Sequence, residues 1–105
     1  MNLARLKMLE EFAHEAPDDP FNHYALALEY LAEEPQKAKR LFAHLLAHHP
    51  GYVPTYYHAG NLYWETGEPD RALEILRAGL VTAKAAGDRK AAGELQGLLD
   101  MLDHN

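Results

Sequence analysis

Prolines and tyrosines in this chain recur at a fixed distance. Pro20 and Pro54, Pro35 and Pro69, and Ala38 and Ala72 are each 34 residues apart. Tyr24 and Tyr57, Tyr30 and Tyr63, and Pro17 and Pro50 are each 33 apart. The one-residue slip falls in a loop, where Glu34-Pro35 in the first copy corresponds to Gly67-Glu68-Pro69 in the second. A period of this size is the signature of a repeated supersecondary unit. Such a unit cannot bury its apolar face alone, so stacked copies are expected to share one continuous core.

The repeated unit reads as helical. Ala and Leu supply 34 residues, whereas Val, Ile and Thr supply only six. Branched side chains lose χ1 freedom in helices, so their scarcity points the same way. Pro20, Pro35, Pro54 and Pro69 stand where a helix opens and a missing N–H is harmless. Asp19, Glu34 and Glu68 precede three of them and place negative charge at the positive end of the helix dipole. Apolar positions then recur at helical spacing: Ala38, Leu41, Phe42, Leu45 and Leu46, and again Ala72, Ile75, Leu76, Gly79, Leu80 and Ala83. A third run, Ala91, Leu95, Leu98, Leu99 and Leu102, follows Gly87-Asp88 as stop and N-cap. Six helices are predicted, near 2–15, 20–33, 35–49, 54–66, 69–86 and 88–103, with short connections that make neighbours antiparallel.

Bulk composition narrows function by exclusion. The 105 residues suit one domain, and a net charge of −6 argues against a nucleic-acid partner. There is no cysteine for a disulfide, a thiolate metal site or a thiol nucleophile, and no serine nucleophile either. No apolar run approaches the ~18 residues of a membrane span. The first fifteen residues carry Arg5, Lys7, Glu10 and Glu11, which rules out a signal-peptide core there. A cytoplasmic protein without membrane contact is the expectation.

At this point the residues resemble a known family, the tetratricopeptide repeat (TPR) proteins. The second copy carries Ala59-Gly60, Tyr63, Gly67, Ala72 and Leu76 at that family's spacing. The first carries Leu26-Ala27, Tyr30, Ala38, Phe42 and the closing Pro50, while Leu9, Phe12 and Pro17 look like the end of a truncated copy. The resemblance implies an all-α, right-handed α-α solenoid in one domain, residues 1–105. Its parts are a leading half-repeat at 1–17, repeats at 20–52 and 53–86, and a capping helix at 87–105. Three departures stand out. The first copy lacks the loop glycine, His23 and Tyr56 replace the usual tryptophan, and Lys84 replaces a closing proline, which predicts a longer helix there.

The same resemblance implies a non-enzymatic protein that binds a peptide or helical segment of a partner in a concave groove. Carried over by position, the groove would present Tyr24, Leu28 and Leu31 from the first pair and Tyr57, Asn61 and Trp64 from the second. Spacings of four and three put each trio on one helical face independently of the family. Some members grip an acidic C-terminus with Lys, Asn and Arg. Only Asn61 matches here, with Tyr57 at the expected basic position and Tyr24 and Leu28 replacing Lys and Asn. With Glu29, Glu33 and Glu65 on the same helices, an apolar or basic segment is the expected ligand.

Other readings compete. The leucines of the last helix either cap the second pair or self-pair into a homodimer. His44 and His48, one turn apart, are candidates for a surface metal site, with Glu11 and Glu15 as neighbours if the repeats stack. His58 lies beside Tyr57 and Asn61, but no nucleophile or phosphate loop accompanies it, so no catalytic residue and no cofactor are expected.

Overall fold

Helix starts follow the prolines. The computed structural model describes residues 1–103, and among these it places six α-helices and no strand. They are α1 (Leu3–Glu15), α2 (Pro20–Tyr30), α3 (Pro35–His48), α4 (Pro54–Glu65), α5 (Pro69–Ala85) and α6 (Arg89–Leu102). Pro20, Pro35, Pro54 and Pro69 each open a helix. Asp19 accepts from the Phe21 N–H and Asp88 from the Ala91 N–H, both at 3.0 Å, satisfying donors that a helix start leaves open. Glu34 and Glu68 make no side-chain cap bond. The final residues of the expected 87–105 segment, 104 and 105, lie outside the described residues.

Helix ends depend on glycine where it is present. Gly67 and Gly87 take positive φ, 86° and 72°, and each closes its helix with the same bonding pattern. The Glu68 N–H donates to the Tyr63 carbonyl, and the Asp88 N–H to the Ala83 carbonyl, both at 2.9 Å. The first copy, lacking that glycine, ends differently. Predicted to reach residue 33, α2 stops at Tyr30, and the Glu34 N–H donates to the Tyr30 carbonyl at 2.8 Å. Pro35 then holds Glu34 out of helical geometry, at φ −134° and ψ 66°. The other departure acts as expected: with Lys84 in place of proline, α5 runs 17 residues against 14 for α3.

The chain divides into two compact units, residues 1–49 and the part from Pro50 onward. In unit 1, α1 packs on α2 and α2 on α3. Its core is Leu6, Leu26, Ala27, Tyr30, Ala38, Phe42 and Leu45. In unit 2, α4 packs on α5, and α6 packs mainly on α5 while touching α4. Leu95, Leu98 and Leu99 of α6 are buried there with Tyr56, Leu62, Ile75 and Leu76. Two glycines let α4 and α5 approach closely. A Cβ on Gly60 would penetrate the Leu76 side chain, and one on Gly79 would penetrate Tyr56. Thr55 is fully buried, and its hydroxyl has no hydrogen-bond partner among the described residues.

Candidate functional site

In unit 2, α4 buries one arc and shows another. Tyr56, Ala59, Gly60 and Leu62 face inward. Tyr57, Asn61 and Trp64 occupy the next arc, where Tyr57 is 37% exposed and the other two are half-buried. Tyr57 and Trp64 are two helical turns apart, a rise of about 10 Å. Neither the Tyr57 hydroxyl nor the Trp64 indole N–H has a hydrogen-bond partner among the described residues. Asn61 donates to the Glu65 carboxylate at 3.0 Å, one turn along the same helix. The Tyr57 ring stands edge-on to His58 at 5.7 Å. Burial holds the His58 imidazole below its usual pKa, against an opposing pull from Glu94 of α6.

In unit 1 the corresponding face of α2 is less available. Tyr24 and Leu28 are half-buried, and Leu31 has moved just past the helix end while keeping helical backbone angles. Arg5 of α1 and the Met1 amino group before that helix engage the acidic side chains beside them. Arg5 Nε lies 3.0 Å from Glu29, and the Met1 amino group 2.7 Å from Glu33. The negative charge expected to flank a ligand on this helix is therefore already partnered.

Histidine placement corrects the expected metal patch. The His44 and His48 rings do meet, at 4.6 Å, but their other neighbours are imidazoles. His23 of α2 lies 4.8 Å and His49 6.2 Å from His44. Glu11 and Glu15 instead border a shallow depression on α1 with Lys7, Glu10 and His14. Among the described residues no group of three or more His, Asp or Glu is arranged to hold a metal ion. The His23 contact was invisible in the sequence because positions 23 and 44 share no helix and no repeat offset. Its role is nonetheless regular: His23 Nε2 bonds the Pro17 carbonyl at 2.6 Å, and the equivalent Tyr56 hydroxyl donates to the Pro50 carbonyl.

Two-helix hairpins recurring every 33–34 residues define a helical-repeat protein. A tetratricopeptide repeat family model matches residues 29–99, and the chain belongs to that family. Two structures of a tetratricopeptide repeat domain protein from Salinibacter ruber, one crystallographic and one by solution NMR, are each 37% identical to it with TM-scores of 0.79. They cover 82% and 84% of this chain, and 97% and 90% of theirs. The solution structure of a protein from Bordetella parapertussis matches with a TM-score of 0.80 over 99% of this chain and 90% of that one. Its 22% identity carries the fold alone. No protein of curated function matches. Family members generally act as non-enzymatic protein-interaction scaffolds. No helix among the described residues is long and apolar enough to cross a membrane.

Proposed function

We propose that this chain is a protein-interaction module that binds a peptide or helical segment of a partner through the first helix of its pairs. The observation that carries this reading is the α4 face. Tyr57 and Trp64 present large rings on one side of a helix anchored by its opposite face. Tyr and Trp are enriched where partners bind because they join large area to few rotatable bonds. Asn61 and Glu65 add a polar edge that accepts a basic or neutral segment in preference to an acidic tail. Tyr24, Leu28 and Leu31 are the corresponding, less exposed positions within unit 1.

The competing reading, self-association through α6, has less to work with. Leu95, Leu98 and Leu99 are buried against α5 and α4, leaving Met101 as the large exposed apolar residue of that helix. This supports a capping role for α6.

The single tryptophan makes the test specific. Peptides selected from a random library on the intact chain are expected to change Trp64 emission and to lose at least tenfold in affinity with Tyr57→Ala, a hot-spot-sized loss of about 1.4 kcal/mol or more. Selected peptides that leave Trp64 emission unchanged and bind Tyr57→Ala equally well would place the working surface elsewhere.

A further inference from the structure

Unit 1 carries an open cleft of about 570 Å³ that the reading above does not use, within the range of small-molecule sites. Leu26, Leu41 and the Tyr30 ring give it an apolar base. Its polar lining is mostly basic, an unusual local excess in a chain of net charge −6. Lys37, Arg40 and His44 lie on one side of α3 with Leu41, at positions three, four and seven apart, and His23 joins them from α2.

The two ends of this cleft differ in charge balance. At one end the charges are paired: Lys37 Nζ sits 3.3 Å from Glu34 and 5.4 Å from the Tyr30 ring centre. The Tyr30 hydroxyl donates to Glu10, the one carboxylate in the lining, at 3.4 Å. At the other end Arg40 and His44, one helical turn apart, have no hydrogen bond or ion pair among the described residues. His23 lies 4.8 Å from His44, with His48 and His49 crowding the same ring. His23 Nε2 is held by the Pro17 carbonyl, which orients its ring.

The geometry points to a binding site for a small organic carboxylate, its charged head between Arg40, His44 and His23 and its hydrocarbon body on Leu26, Leu41 and Tyr30. A guanidinium and the His44 imidazole N–H are donors suited to a carboxylate, and His23, whose Nε2–H is spent on the Pro17 carbonyl, joins them when its second nitrogen is protonated. An anion placed there also relieves the repulsion that the gathered imidazoles would suffer on protonation. Burial, then His23, His48 and His49, hold His44 below its usual pKa. Bound carboxylate reverses that repulsion, and Glu10, Tyr30, Lys37 and Arg40 are the other ionisable groups facing the cleft. Binding therefore takes up protons and tightens as pH falls through the histidine range.

The test is an NMR titration of the intact chain with 3-phenylpropionate, which stays ionised at both about pH 6 and about pH 7.5. Its neutral analogue 3-phenylpropionamide and the bare headgroup acetate serve as comparisons. The acid is expected to give saturable shifts at Leu26, Tyr30, Arg40, Leu41 and His44, tighter at the lower pH. The amide, Arg40→Gln and His44→Gln should each weaken binding by about tenfold, as loss of a charged hydrogen bond implies, and acetate should bind more weakly because it lacks the apolar body. Both substituted residues are exposed, so folding is retained. Absence of saturable shifts at the lower pH, equal binding of acid and amide, or affinity unchanged by Arg40→Gln would overturn the assignment. Shifts centred on Tyr57 and Trp64 would overturn it too, and would leave the α4 face standing.

Discussion

The two units begin from one two-helix pattern and pack it differently. Unit 2 sets Tyr56 against Gly79 and Leu76 against Gly60. The repeat-equivalent positions of unit 1 hold His23 and Leu45, and Phe42 and Ala27. At the first pair the larger residue has changed sides, Tyr56 and Gly79 giving way to His23 and Leu45, whereas at the second both partners are larger in unit 1. The third helix differs as well. Helix α1 precedes its pair and covers α2, whereas α6 follows its pair and covers mainly α5. A short connection obliges each added helix to pack beside its chain neighbour. That difference reaches the surface: Arg5 of α1 and the preceding Met1 amino group partner Glu29 and Glu33, while Tyr57 and Trp64 on α4 stay partly exposed.

Core truncation should break the comparison most severely. Phe42→Ala is expected to cost about 3–5 kcal/mol and its equivalent, Leu76→Ala, about 2–5, read as urea midpoints. Filling the close approach comes next. Gly79→Ala should lose about 1–3 kcal/mol through overpacking on Tyr56. Combining it with Tyr56→His, the residue unit 1 uses, should recover part of that loss in a double-mutant cycle; strict additivity would sink the volume-exchange account.

Smaller effects sharpen the picture. Asp19→Ala and Asp88→Ala should each cost about 1 kcal/mol, while Glu34→Ala stays within about 0.5, because the aspartates bond their helix starts and Glu34 does not. Thr55→Val should gain about 1 kcal/mol by removing a buried hydroxyl that has no partner.

The pH response comes last. A histidine whose folded pKa is depressed binds fewer protons folded than unfolded. Its stabilising contribution is complete above the usual value of 6.5 and is lost as pH falls through the lowered folded value. Thermal melts of His58→Gln should thus show a shallower loss below pH 6.5 than the parent chain; parallel curves would contradict the burial argument.

Much of the fold was legible because its signals are local. Proline at a helix start, glycine at a left-handed turn and aspartate at an N-cap act within a few residues, so their consequences could be read in order along the chain. The early end of α2 was missed because the repeat alignment carried over a helix length that depends on Gly67, and the first copy has no such residue. The candidate site was less legible. Spacing placed Tyr57, Asn61 and Trp64 on one arc, but it could not show that the acidic side chains beside Tyr24 and Leu28 were partnered from another helix.

What the sequence determined by itself was the repeat, the six helices and the apolar stripes of α3, α5 and α6. These follow from period and backbone preference, both of which are properties of neighbours in the chain. Tertiary structure alone decided that Gly60 and Gly79 are points of contact, that His23 joins His44, and that Arg40 and His44 share an uncompensated end of a cleft. Those outcomes depend on which side chains of different helices come within a few ångströms. Steric exclusion and electrostatics act at that range, and residue spacing does not specify it.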